Sequence, residues 1–202
     1  MKKALIIGAA GFVGNHLIDQ LRSEGKWSIS ATKLLNEEIE NNDIATYDLD
    51  ILNRKGIEEL LAEIRPECIF HLAAQSSVAL SWKNPELTID VNIKGTANVL
   101  EAIKQLDYKL RVLLIGSGEE YGRVLSEELP ICEDNKTRPS NIYAMTKTAQ
   151  NMLGKIYADA YGLDIISVRA FNHIGPNQSP IFVVADFCKQ VSDIEKGCQV
   201  PV

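Results

Sequence analysis

Ala4-Leu5-Ile6-Ile7-Gly8-Ala9-Ala10-Gly11-Phe12-Val13-Gly14 decides the fold. An apolar run ending at a glycine predicts a buried strand, then a tight turn, then a helix opening at about Phe12. Each glycine has a distinct task in such a turn. Gly8 lets the backbone swing out of the strand, Gly11 lets a pyrophosphate approach the main chain, and Gly14 lets the helix lie close to the strand. The N–H groups and positive dipole end of that helix, at Phe12 and Val13, would face the phosphate. The spacing Gly-x-x-Gly-x-x-Gly is one residue longer in its first gap than the common dinucleotide fingerprint. A glycine-rich turn that binds nothing has the same pattern, so the rest of the chain has to decide.

Working outward, the helix runs to about Ser23 with Phe12, Val13, Leu17, Ile18 and Leu21 as its apolar residues. A second strand, near Ser28 to Thr32, ends at Lys33. An acidic residue at that point would hold the ribose hydroxyls of NAD, and a basic one would accept the 2′-phosphate of NADP. With Lys33 there and no carboxylate until Glu37, the reading is NADP(H) or NAD(H), leaning to NADP(H). A third strand leads to Asp48-Leu49, followed by a helix from Asn53 to Ile64 that Pro66 stops. Cys68 to Leu72 is a fourth strand, Pro85 opens a long helix to about Gln105, and Arg111 to Ile115 is a fifth strand. Ser126 to Arg138 reads as a polar loop, Asn141 to Tyr161 as a helix, Asp164 to Ala170 as a sixth strand and Ile181 to Lys196 as a last helix. Alternating strands and helices predict an α/β fold, a parallel sheet covered on both faces with its ligand at the carboxyl ends of the strands.

The 202 residues suffice for one full α/β domain, and 46% hydrophobic with 24% charged residues is the balance of a globular protein. A net charge of −6 offers no basic surface to nucleic acid or to an anionic membrane. Met1-Lys2-Lys3 runs straight into the first strand, too short an apolar run for a signal peptide, and no stretch is long enough to span a bilayer. Cys68, Cys132, Cys188 and Cys198 are scattered, so they read as reduced structural thiols of a cytoplasmic protein, with no metal site expected.

Chemistry gathers at three strand ends: Ser117 after the fifth strand, Tyr143-Ala-Met-Thr-Lys147 near the start of the next helix, and Arg169 to Pro176 after the sixth strand. Tyr143 and Lys147 are four apart and share one helical face. A lysine cation near a phenol favours phenolate and lowers the tyrosine pKa, which suits proton transfer to or from a sugar oxygen. Ser117 would hydrogen-bond the same oxygen. An ordinary exposed Tyr-x-x-x-Lys pair has the same spacing.

Gly8-x-x-Gly11-x-x-Gly14, Asp48-Leu49, His71-Leu72-Ala73-Ala74, Asn92-Ile-Lys-Gly95-Thr96-x-Asn98, Ser117 and Tyr143-x-x-x-Lys147 occur in one order along the whole chain. Together they resemble the extended short-chain dehydrogenase/reductase family. The resemblance implies a Rossmann-type doubly wound sheet of strand order 3-2-1-4-5-6. It also implies a catalytic set Ser117, Tyr143 and Lys147 and a cofactor held by Gly8, Gly11, Phe12, Val13, Gly14, Lys33, Asp48, Leu49, Leu72, Ala73, Ala74 and Asn92, with Tyr143 and Lys147. Asp48 and Leu49 would hold the adenine, and Asn92 would support the active-site water and helix geometry. His71 reads as a satisfied core histidine.

Ile115-Gly-Ser-Gly-Glu-Glu-Tyr121-Gly122, Arg169-Ala-Phe-Asn-His-Ile-Gly-Pro176 and Phe182 to Phe187 look like the branch acting on GDP-linked 6-deoxyhexoses. That branch reduces the C4 ketone of GDP-4-dehydro-6-deoxy-D-mannose or, in its dehydratases, makes the ketone from GDP-mannose. Substrate contacts would come from Ser76, Ser117, Glu119 and Asn172. Glu119 stands where a dehydratase carries its C5 base, whereas Gly118 lacks the side chain dehydratases usually carry. One or both of Glu119 and Glu120 read equally as solvated loop charges. Other nucleotide-sugar epimerases or reductases, and a non-catalytic dinucleotide-binding module, are the remaining alternatives.

The resemblance further implies a Rossmann domain over 1–180 and, at 181–202, the start of a nucleotide-sugar-binding domain that family members continue for roughly another hundred residues. A chain without that part would be weak or inactive, because water would reach the substrate. A homodimer through a four-helix bundle is also implied, although Ile89, Ile93, Val99, Met145, Met152 and Ile156 read more simply as core.

Overall fold

The computed structural model describes residues 1–40 and 43–200. The chain divides into two compact units, 1–171 and 172–202. In the first, β1 (Lys2–Ile7), β2 (Trp27–Lys33), β3 (Ala45–Asp48), β4 (Cys68–His71), β5 (Arg111–Ile115) and β6 (Asp164–Val168) form one sheet. All neighbours are parallel, in the order β3-β2-β1-β4-β5-β6. This is the doubly wound Rossmann order expected from the sequence.

The helices of this unit are α1 (Phe12–Ser23), α2 (Arg54–Ile64), α3 (Val78–Lys83), α4 (Pro85–Ile89), α5 (Thr96–Lys104) and α6 (Ile142–Tyr161). β1 shows how they cover the sheet. Its Leu5 and Ile7 enter a core shared with Ile57 and Leu61 of α2 and Val99 and Ile103 of α5. Ala4 and Ile6 point the other way, into a core with Ile18 and Leu21 of α1. A strand buried on both faces needs an unbroken apolar run, which Ala4 to Ile7 supplies. Truncating a fully buried leucine such as Leu61 to alanine removes about 2–5 kcal/mol of stability.

Short side chains set the helix ends. Asn53 accepts the Gly56 N–H at 3.2 Å to start α2, and Asn141 accepts the Ala144 N–H at 2.7 Å to start α6. Arg65 turns left-handed at φ 48° to end α2 before Pro66.

The helix expected from Pro85 to Gln105 is not uniform. Between α4 and α5, Asp90–Gly95 forms a π-helical turn. Its buried Asn92 donates to the Gln75 carbonyl at 3.0 Å and to Thr146 Oγ1 at 2.9 Å, and accepts the Gln75 N–H at 2.8 Å. Widening the turn aims this amide at both neighbours. Helix α3, capped by Ser77 on the Leu80 N–H at 3.2 Å, and a 3₁₀ turn over Gly118–Tyr121 were not anticipated. β6 ends at Val168, two residues earlier than expected.

In the second unit, α7 (Val183–Glu195) matches the expected last helix to within two residues. Its Val183, Phe187 and Val191 are exposed. Cys198 and Gln199 donate their N–H groups to the Asp193 carbonyl, folding the end of the helix back on itself.

Candidate active site

The three glycines divide their work as the turn requires. Gly8 has φ +83°, and a Cβ there would lie 2.6 Å from the Ala73 main chain. Its N–H donates to Thr32 Oγ1 at 3.1 Å, and Ala73 N–H donates to the Ile7 carbonyl at 2.8 Å. A Cβ on Gly14 would press into Ala9, 2.6 Å from its Cα. Gly11 is different: it is exposed, and the nearest atom to a Cβ there would be the Gly8 carbonyl oxygen at 3.6 Å. Protein packing does not demand glycine at this position, and the approach to the main chain is open. No side chain caps α1 and no acidic residue lies in its first turn, so Phe12 and Val13 sit at an uncompensated positive helix end. The residues present fit a dinucleotide pyrophosphate.

The other proposed cofactor residues line the same carboxyl edge of the sheet. Lys33 and Asp48 are register partners at the ends of β2 and β3, and Lys33 Nζ meets Asp48 Oδ1 at 2.6 Å. The lysine is therefore already engaged with a carboxylate. Leu49 gives its N–H to the Lys33 carbonyl at 2.8 Å, but its side chain belongs to the core. Asn92 is fully buried, with its amide committed to Gln75 and Thr146, and braces the loop after β4. Leu72, Ala73 and Ala74 are half-buried in that loop, and Ser76 is exposed beyond them.

Ser117 and Tyr143 come together. The Ser117 side chain lies near enough to the Tyr143 hydroxyl to act on its proton, and Ser117 Oγ accepts the Glu119 N–H at 3.2 Å. Lys147 lies below, buried, donating to the Ile115 carbonyl at 2.8 Å and to Gln150 Oε1 at 3.1 Å. Burial brings its pKa to about 8, opposed by the charge of Glu120. The expectation that Tyr143 is pulled towards phenolate is reversed in the chain itself. Burial pushes its pKa up, the nearby Ser117 side chain pulls it back, and Glu119 and Glu120 push it up further. Tyr143 is thus held as a phenol, a proton donor.

The acidic pair separates. Glu119 is exposed and accepts from Asn141 Nδ2 at 3.1 Å. Glu120 is fully buried among Ser117, Asn151 and Arg169, so it is no solvated loop charge. Gln150, Asn151 and Glu120 are the residues that sequence reasoning missed. Gln150 and Asn151 lie three and four residues beyond Lys147 on α6, a helical spacing that could have flagged them. Asn172 belongs to the second unit. Among the described residues, no group of three or more His, Cys, Asp or Glu side chains could hold a metal ion, and no helix is long and apolar enough to cross a membrane.

His71 is fully buried, with Nε2 3.1 Å from Thr96 Oγ1. The Thr96 hydroxyl donates to the Asn92 carbonyl at 2.7 Å, so it accepts from Nε2–H and leaves Nδ1 without a partner. The histidine is thus only half satisfied. Burial, then Lys147, lowers its pKa from 6.5 to about 3. The unfolded chain takes a proton near 6.5 that the folded chain refuses until about 3, so stability falls as pH drops through that window. His71→Leu is expected to flatten this loss, by about 3 kcal/mol between pH ~7 and ~4.5, in urea denaturation. Parallel pH profiles for the two proteins would contradict it.

The family model described as GDP-mannose 4,6 dehydratase matches residues 5–202. The chain belongs to that family. It is a nucleotide-sugar epimerase/dehydratase/reductase sequence of the extended short-chain dehydrogenase/reductase type. GDP-6-deoxy-D-mannose reductase from Pseudomonas aeruginosa is 31% identical over 98% of this chain and 61% of its own length. The structure of RMD from Pseudomonas aeruginosa complexed with NADPH matches with TM-score 0.85 and 30% identity, over 99% of this chain and 63% of that one. UDP-glucose 4-epimerase of Thermus thermophilus, in complex with NAD, matches with TM-score 0.87 and 30% identity, over 98% of this chain and 64% of that one. The chain therefore spans a little over three-fifths of the length of these family members.

Proposed function

We propose that the chain forms the cofactor-binding and catalytic part of a nucleotide-sugar C4 reductase. It would take GDP-4-dehydro-6-deoxy-D-mannose to GDP-D-rhamnose with NADPH, or NADH. The observation that carries this is the gathering of Ser117, Tyr143 and Lys147 at the carboxyl end of β5, with Tyr143 kept protonated by burial and so able to donate a proton to an oxygen that gains charge. Bound reduced nicotinamide supplies the hydride to C4. Ser117 would orient the ketone, Tyr143 would protonate its oxygen, and Lys147 would supply the positive charge that steadies the emerging phenolate. Lys33 at the end of β2 supports NADP(H), as does the NADPH in the Pseudomonas reductase structure. A 2′-phosphate would share Lys33 with Asp48.

Against dehydration stands Gly118, which lacks the side chain dehydratases usually carry; a Cβ there would lie 2.9 Å from the Phe171 ring. A dehydratase reading is favoured by Glu119, exposed beside Asn141 and acting on Tyr143. The test is turnover by this chain and by a version of the family members' length. Nicotinamide oxidation with the GDP-linked ketosugar supports the reductase. Ketosugar formed from GDP-mannose with no net change in cofactor overturns it in favour of Glu119 as C5 base.

In this reading the second unit, with Asn172, opens the nucleotide-sugar-binding domain, while Ser76 and Glu119 contribute from the first. The chain would work in the cytoplasm as a homodimer. Val99 is core, but Met145, Met152 and Ile156 form an exposed apolar stripe on α6, and Ile89 of the packed neighbour α4 is exposed too. Met152→Lys is expected to shift sedimentation from dimer to monomer. An unchanged dimer would place the interface elsewhere.

A further inference from the structure

We propose that Glu120 is a positioning residue for the reacting set, its buried carboxylate fixing Ser117 at the end of β5 and setting the field at Tyr143 and Lys147. The inference rests on reading those three residues as the reacting groups.

Glu120 has no solvent exposure. Its Oε1 accepts the Ser117 N–H at 2.8 Å, and Asn151 Nδ2 on α6 reaches both carboxylate oxygens at 2.7 Å. Arg169, just past β6, donates from Nε to Oε2 at 3.3 Å. One carboxylate thus ties together the ends of β5 and β6 and the middle of α6. The chain is shaped to admit it. A Cβ on Gly116 would lie 2.6 Å from Asn151 Nδ2 and inside contact with the Glu120 carboxylate, so the glycine before Ser117 makes room for this network. Arg169 is itself anchored: it donates to Tyr121 Oη at 3.1 Å and to the Glu133 carbonyl at 2.8 Å, and lies 5.0 Å from the Tyr121 ring centre.

The charged and titratable groups facing this carboxylate are Arg169 after β6, Tyr143 and Lys147 on α6, and Glu119 and Tyr121 on its own turn. Its negative charge opposes loss of a proton from Tyr143 and from Lys147. Burial sets the larger part of both shifts; the carboxylate adds to it at Tyr143 and offsets it at Lys147, favouring Tyr143 as donor and Lys147 as cation. That is the protonation state that reduction of a ketone requires at the start of a turnover.

The test titrates the chain labelled with ¹³C at tyrosine Cζ, with the Tyr143 signal identified by its loss in Tyr143→Phe. Glu120→Gln keeps the reach and removes the charge, and the Tyr143 midpoint is expected to fall. Glu120→Asp keeps the charge and shortens the reach. Its Tyr143 midpoint is expected to stay near wild type, while the Ser117 amide exchanges with solvent about tenfold faster. A folded Glu120→Gln with an unmoved Tyr143 midpoint overturns the proposal. Unchanged Ser117 exchange in Glu120→Asp also overturns it, and decides alone if the glutamine variant does not fold. Neither cofactor nor sugar is needed, so a silent turnover assay leaves this result readable.

Discussion

Gly14→Ala is expected to cost about 3 kcal/mol or more of stability, lowering Tm by roughly 6–12 °C. The added methyl has nowhere to go. It would press on the main chain of Ala9, 2.5 Å from its carbonyl carbon, and neither β1 nor α1 can shift without disturbing Leu5, Ile7 and Ile18 in the two cores. Gly11→Ala, three residues away, is the counterpart. Its methyl would meet nothing nearer than 3.6 Å, so thermal stability should stay within about 1 kcal/mol of wild type. The same methyl stands where a pyrophosphate must approach the main chain, so coenzyme affinity should fall about tenfold or more. Melting curves and NADPH fluorescence titrations read the two effects separately. A stable Gly14→Ala, or a Gly11→Ala that binds coenzyme as wild type does, would contradict these assignments.

Tyr143→Phe is expected to lower ketosugar reduction by about 10²–10⁴-fold and leave coenzyme affinity unchanged. Phenylalanine keeps the ring and its packing and removes only the hydroxyl that meets Ser117. Loss of that proton donor acts on the transition state, so the change should fall on kcat rather than KM. Unchanged turnover in Tyr143→Phe would defeat the enzymatic reading and favour a non-catalytic dinucleotide-binding module.

The parts of this molecule legible in its sequence are those set by local constraints. The task of each glycine in the first turn follows from the presence or absence of a Cβ: Gly8 and Gly14 have no room for one, and Gly11 is open. The strands follow from unbroken apolar runs such as Ala4 to Ile7, and their order is the one the family resemblance implied. Ser117, Tyr143 and Lys147 could be named because each sits at a strand end or one turn into the next helix.

What stayed hidden depends on partners distant in the chain. Lys33 faces Asp48 only because β2 and β3 pair in that register. Of two adjacent glutamates, Glu120 is buried and Glu119 exposed because Asn151 and Arg169, 31 and 49 residues away, close on the first. The direction of the Tyr143 shift was misread for the same reason: burial and two carboxylates outweigh what the spacing to Lys147 suggested. The π-helical turn at Asn92 follows from that side chain's bonds to Gln75 and Thr146, which no helical periodicity encodes.

The most direct test of the central claim is to follow a label from coenzyme to sugar. The chain, and its version of the family members' length, would receive GDP-4-dehydro-6-deoxy-D-mannose with NADPH deuterated at nicotinamide C4, and the sugar product would be read by NMR. The account predicts deuterium at C4 of a 6-deoxyhexose, one per coenzyme oxidised, formed about 10²–10⁴-fold more slowly by Tyr143→Phe. Deuterium absent from C4 while GDP-mannose is converted to ketosugar with no net coenzyme change would contradict it.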